Sequence, residues 1–248
     1  TKKYTTSVNS KGEVVTNKVT WFGYTVHLVV DAKYELPVTF KVTPASNSEQ
    51  KEAKEILKVM HEEQLERCKY FLADKGYDDT KIIEYLKEKD IAAIIDIRNM
   101  WKDGEETKQY KDTDVVYTYD GNIYYIGEKG NKIKLRYLGY DKSSDSLRYG
   151  FKPQYNDNRV FRIKCDTDKR IFVTVARDSK KWAREYKKRT SVERVNGRID
   201  RDYEFEDHTI RGIKKMDLYV TASFIVMLSM AKSKIEANNY NHLAALIS

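Results

Sequence analysis

The chain is 248 residues long and 34% charged, with 46 Lys and Arg against 38 Asp and Glu, so it carries a net charge of +8 and a pI near 9.1. Its length allows one domain with a sizeable core and room for an insertion, and its positive balance favours an acidic polymer, nucleic acid first, as partner. Cys68 and Cys165 stand far apart, which excludes a C-x-x-C zinc site or a disulfide framework and fits a reducing cytosol. The longest apolar run, Leu218 to Met230, is interrupted by Thr221 and Ser223 and falls short of the ~20 residues of a membrane span. No signal-peptide pattern is expected at Thr1-Lys2-Lys3-Tyr4.

Residues 1–18 are polar and turn-rich and predict a loop or frayed edge. From 18 to 31, β-branched and aromatic residues alternate, which predicts a strand. The turn Ala32–Glu35 and a second strand over 36–43 complete an antiparallel hairpin, in which His27 reads as structural. Ser46, Asn47 and Ser48 are placed to cap a helix over 49–66 that has Ala53, Ile56, Leu57 and Met60 on one face. Tyr70–Ala73 is a short apolar run bounded by Gly76, the pattern of a buried strand with Asp74 at its carboxyl end. A helix over 79–88 and a strand over 91–97 follow, with Asp96 read as a satisfied strand residue. This order of hairpin, helix, strand, helix and strand predicts a mixed α/β sheet flanked by helices.

Residues 99–180 break that rhythm and predict a β-rich insertion. Val115–Tyr119 and Asn122–Ile126 flank Asp120-Gly121, a strong hairpin signal; further strands are expected over 133–138 and 160–164. The Tyr-rich hairpin 117–125 suits stacking on DNA and simple strand formation alike. The predicted boundaries are therefore 1–98, the first part of a mixed α/β domain; 99–180, the insertion; and 181–248, the helices that complete the domain.

The stretch Trp182–Arg198 contains no Pro and predicts a helix. At about 100° per residue, Tyr186, Arg189, Glu193, Asn196 and Asp200 share one side, while Val192, Val195 and Ile199 form an apolar stripe opposite. Lys187, Arg194, Arg198 and Arg201 make a basic stripe, and nine Lys and Arg against three acids over 180–201 give a local charge of +6. The plain alternative is a solvated basic helix with an incidental Glu193. Trp182 fits core packing or stacking on a flipped base. A final helix is expected over 213–236, with a weakly specified Asn-rich tail.

Tyr186-x2-Arg189-x3-Glu193 resembles the Y-x2-R-x3-E-x6-K signature of bacterial insertion-sequence DDE transposases. Leu72–Tyr77 is similar to the segment bearing that family's second catalytic Asp, and Trp21–Asp31 to its G-Y-K-x-H-L hairpin segment. The resemblance runs from about 18 to 235. It implies a ribonuclease H-like mixed sheet flanked by helices, with a β-rich insertion before the Glu-bearing helix. It also implies catalytic, metal-liganding roles for Asp74 and Glu193, which would hold Mg²⁺ (Mn²⁺ as a substitute) for phosphodiester cleavage and strand transfer. Tyr186 and Arg189 would contact DNA near the scissile phosphate, with Lys187, Arg194 and Arg198 as further DNA-binding residues. The implied partners are transposon-end and target DNA and a second copy of the chain in a DNA complex. The implied location is the bacterial cytoplasm at the nucleoid, with no membrane.

Two departures stand out. Asp200 occupies the signature's Lys position, a charge reversal. The family's first catalytic Asp belongs on a strand before the hairpin, ahead of Thr1, and Asp31, on an antiparallel strand, points from the wrong edge to replace it. The chain by itself is therefore expected to bind DNA without cleaving it. The alternative readings are a catalytically inactive, truncated DNA-binding remnant of a transposase, or a ribonuclease H-like nuclease unrelated to transposition.

Overall fold

The computed structural model describes the chain apart from residues 1, 9, 11, 21, 22, 206, 208 and 246–248, so the predicted strand through Trp21 and Phe22 lies partly outside the described residues. In chain order the strands and helices are β1 (Lys2–Val8), β2 (Val14–Thr20), β3 (Tyr24–Asp31), β4 (Leu36–Pro44), α1 (Glu49–Val59) and α2 (Glu62–Arg67). They continue with β5 (Tyr70–Ala73), α3 (Thr80–Glu88), β6 (Ala92–Ile95), β7 (Lys108–Gln109), β8 (Val115–Tyr117), β9 (Ile123–Ile126) and β10 (Lys132–Lys134). Then come β11 (Arg136–Asp141), β12 (Ser146–Gly150), β13 (Val160–Lys164), α4 (Lys180–Tyr186), α5 (Thr190–Tyr203) and α6 (Ile213–Glu236). The chain is thus mixed α/β, with helices and several small sheets, and it divides into two units, 1–58 with 191–248, and 59–190.

In the first unit, β3 and β4 pair antiparallel as their alternation predicts, from Tyr24↔Pro44 to Asp31↔Leu36, with a register shift near Val29. Val195 and Ile199 of α5 and Met216, Val220 and Phe224 of α6 are buried together with Val42. Phe40 meets Phe224 edge-on at 5.0 Å between ring centroids. The predicted loop over 1–18 is instead largely a hairpin, β1 pairing β2 from Lys2↔Thr20 to Val8↔Val14. Thr and Val favour extended backbone, but Val8 and Val14 are exposed, so no buried face marks the pattern in the sequence. The helix predicted over 49–66 divides because His61 adopts an extended conformation and starts a new helix, its N–H donating to Gln64 Oε1 at 3.1 Å. Over its 24 residues, α6 is long and apolar enough to cross a bilayer, contrary to the reading of its core as too short. The face bearing Met216, Val220, Phe224, Met227 and Ala231 is nonetheless buried within this unit.

In the second unit, β5 and β6 are parallel, in register from Tyr70↔Ala92 to Ala73↔Ile95, joined by the crossover helix α3. The β-rich stretch forms an antiparallel sheet in the order β10-β9-β8-β7 and another in the order β11-β12-β13. The Asp120-Gly121 hairpin joins β8 to β9 as expected, and β12 is an additional strand that the sequence reading left unassigned. Tyr149, Ile123, Leu147 and Ile163 are fully buried in this core with Phe172.

Candidate active site

Two short apolar strands bring two carboxylates to one sheet end. Ala73 and Ile95 are register partners, and the Asp96 N–H donates to the Ala73 carbonyl at 3.3 Å. Asp74 and Asp96 therefore leave adjacent parallel strands at the same carboxyl edge, where loops of α/β sheets present ligand-binding groups. Asp74 is exposed, extended (φ −78°, ψ 177°), and begins a single 3₁₀ turn, Lys75–Tyr77, with its Oδ1 accepting the Gly76 N–H at 2.7 Å. Asp96 Oδ1 accepts the Ile97 N–H at 2.8 Å.

A buried polar network lies behind that edge. The Asp78 side chain is fully enclosed and accepts a fork from Arg170, Nε to Oδ1 at 3.1 Å and one Nη to Oδ2 at 2.8 Å. The Arg98 N–H also donates to Asp78 Oδ2, at 2.9 Å. Arg177 donates to the Ile95 carbonyl at 3.1 and 3.2 Å and to the Arg170 and Ile171 carbonyls at 2.6 and 2.8 Å. Burial pulls the Arg177 guanidinium down to about 10, against the nearby charges of Asp78 and Asp96. Sequence reasoning missed this network, because its members are scattered charged residues in irregular segments without periodicity.

Ser179 starts α4 by accepting the Trp182 N–H at 3.1 Å. One turn on, Tyr186 is half-buried and stacked on Trp182, with ring centroids 4.5 Å apart and planes 14° from parallel. Trp182 thus uses one ring face within the unit, and its Nε1 is buried without a hydrogen-bond partner. The Arg189 guanidinium sits 5.7 Å from the Tyr186 centroid. Burial, then the charge of Asp96, push the Tyr186 phenol up; Arg189 opposes this, and Asp74 adds to it. Asp74, Asp96, Tyr186 and Arg189 therefore share one electrostatic neighbourhood.

The continuous helix predicted over 182–198 is broken by a 3₁₀ turn at Lys187–Arg189. Such a turn advances about 120° per residue instead of 100°, so the even helical spacing does not hold through Lys187–Arg189. Within α5, Ser191, Val195 and Ile199 are buried, while Glu193 and Asn196 are exposed. Glu193 belongs to the first unit and Asp74 to the second. Among the described residues, no three His, Cys, Asp or Glu side chains gather with metal-ligand spacing.

The basic stripe is less free than its count of charges. Glu35, in the β3–β4 turn, accepts hydrogen bonds from both Arg194 and Arg198. Burial would raise its carboxyl, but the two arginines outweigh this and hold it below the usual range. Buried Glu185 engages Arg184 at 3.0 Å and Lys188 at 2.5 Å, and Asp202 engages Arg201 at 2.6 Å. Lys187 is exposed. His27 is buried, its Nε2 2.9 Å from Thr43 Oγ1, in the structural place expected of it.

A basic mixed α/β chain with a carboxylate at a parallel strand end and a nearby Tyr/Arg pair fits a protein that acts on a polynucleotide. The family model described as transposase DDE domain matches residues 7–228. The chain belongs to that family, and its function lies in DNA transposition and recombination, as the resemblance to insertion-sequence transposases implied. No curated protein and no solved structure matches it.

Proposed function

We propose that this transposase domain cleaves phosphodiester bonds at the ends of a mobile element and joins the freed 3′-OH to target DNA, in a metal-dependent reaction. The observation carrying this reading is the packing of α4 and the turn after it, which bear Tyr186 and Arg189 of the Tyr-x2-Arg-x3-Glu motif, against β5, which Asp74 follows. Asp74 and Glu193 would hold Mg²⁺, with Mn²⁺ as a substitute. Carboxylate oxygens are the donors such hard cations take, and Asp74 is exposed with one oxygen engaged by a main-chain N–H. When bound, the cations supply charge stabilisation for the attacking and leaving oxygens.

The chain's own residues orient the DNA. Arg189 offers a planar fork matched to a phosphate. The raised Tyr186 phenol keeps its proton at neutral pH and donates a hydrogen bond to a phosphate oxygen. Lys187, with Arg194 and Arg198 shared with Glu35, lines the approach of the duplex. The catalytic domain is then a ribonuclease H-like fold over 1–98 and 181–248, with 99–180 as its β-rich insertion. It would work as a homodimer on paired ends, in the bacterial cytoplasm at the nucleoid.

The test uses supercoiled plasmid carrying element ends, with and without Mg²⁺. Supplied with the first catalytic Asp that the sequence reading does not find in this chain, the domain is expected to give nicking and joined products that require Mg²⁺ and vanish in Asp74→Ala and Glu193→Ala, whereas by itself it is expected to bind the plasmid without nicking it. Nicking without joined product would instead favour a nuclease unrelated to transposition. Salt-sensitive DNA binding with no nicking even when that Asp is supplied would leave an inactive DNA-binding remnant.

A further inference from the structure

We propose that Asp78, gripped by Arg170, is a positioning residue for Asp74, an inference that rests on the metal-dependent reading of Asp74. Asp74 and Asp78 bracket one 3₁₀ turn, Asp74 before it and Asp78 after it. The exposed Asp74 carboxylate has local support from the Gly76 N–H. The far end of the turn is held much more tightly. The Asp78 side chain, 0% exposed, takes both arms of the Arg170 fork and the Arg98 N–H. The Arg98 side chain returns to the Asp78 carbonyl at 3.2 Å, and Arg170 reaches the Arg98 carbonyl at 3.0 Å.

The same network reaches the neighbouring strand. Arg177 clasps the carbonyl of Ile95, the residue before Asp96, and also that of Arg170. Arg170 and Arg177 thus tie together the segments that follow β5 and β6. They flank Ile171, Phe172 and Ala176, which are part of the core of the β-rich stretch, so that core is anchored to the strand ends. An enclosed ion pair is a poor source of net stability, because desolvating both charges offsets their attraction. Its rigid two-armed geometry, however, leaves the turn little freedom. Mg²⁺ demands near-octahedral oxygens, so a carboxylate on a loosened turn binds it poorly, and outer partners that orient metal-binding groups typically matter by roughly 10–100-fold in metal affinity.

The test titrates the full chain with Mn²⁺, following the EPR signal of the free ion, with circular dichroism to check folding, for wild type, Asp74→Ala, Asp78→Asn and Arg170→Lys. Asp78→Asn is expected to raise the Mn²⁺ concentration for half-saturation by about tenfold or more. Excess Mn²⁺ then still saturates Asp78→Asn, but not the site lost in Asp74→Ala. Arg170→Lys keeps the charge while losing the fork; it is expected to shift in the same direction, and it decides the matter if Asp78→Asn does not fold. Unchanged Mn²⁺ half-saturation in folded Asp78→Asn or Arg170→Lys overturns the positioning role. Unchanged Mn²⁺ binding in Asp74→Ala overturns the metal reading itself, and the role of Asp78 with it.

Discussion

Buried His27 and half-buried Asp178 give the protein opposite pH dependences. Burial lowers the His27 imidazole below its ordinary 6.5, with Glu52 and Glu49 pulling upward and Lys41 downward. The unfolded chain therefore binds more protons just below that value, so stability rises with pH through this window and is fully present above about 6.5. Denaturant titrations from pH 5 to 7 should show this slope, and His27→Gln should flatten it. Asp178 behaves in the opposite sense. Burial pushes its carboxyl up to about 6, with Asp120 adding and Lys134 opposing, and its Oδ1 is enclosed without a hydrogen-bond partner. The folded state then holds a proton that the unfolded state gives up above 3.8, so this contribution is lost as pH rises from about 4 to 6. Asp178→Asn should raise the unfolding free energy at pH 7, by up to about 3 kcal/mol, and leave it nearly unchanged at pH 4. Equal gains at both pH values would show that ionisation is not the cause. The hydrophobic alternation around His27 was plain in the sequence, whereas the burial of Asp178 comes from distant strands of the β-rich stretch.

Among the elements, α5 shows how far periodicity reaches. Val195 and Ile199 are buried as their spacing required, because a helix must turn its apolar stripe to a core. The 3₁₀ turn before it, Lys187–Arg189, carries no Gly or Pro to announce it. Nor could composition reveal that the β3–β4 turn aims Glu35 at Arg194 and Arg198. Removing that acid takes away the carboxylate that engages both guanidinium groups. Glu35→Gln should therefore tighten DNA binding and steepen its salt dependence, by about 0.9 log unit per log salt for each arginine that turns to a phosphate. Filter binding across a salt series measures this, and an unchanged slope would show that this stretch of α5 does not face DNA.

For the whole molecule, the net charge of +8 dictates DNA affinity that falls steeply as salt rises. A duplex-binding curve flat between 50 and 200 mM salt would contradict the role assigned to the basic residues. The two cysteines are free, and burial raises the Cys165 thiol to about 12, so reductant should leave the melting temperature unchanged. The sequence by itself determined the alternation that pairs β3 with β4, the Asp120-Gly121 hairpin, the short apolar strand ending at Asp74, and the motif through Tyr186, Arg189 and Glu193. All of these depend on neighbours within a few residues, where backbone geometry imposes a period of 2 or 3.6. Only the tertiary structure decided that Asp96 stands beside Asp74, that Arg170 and Arg177 lock the strand ends, and that Glu35 occupies two of the arginines assigned to DNA. Those contacts join residues far apart in the chain through single side chains in irregular segments, and no local period records which charge will meet which.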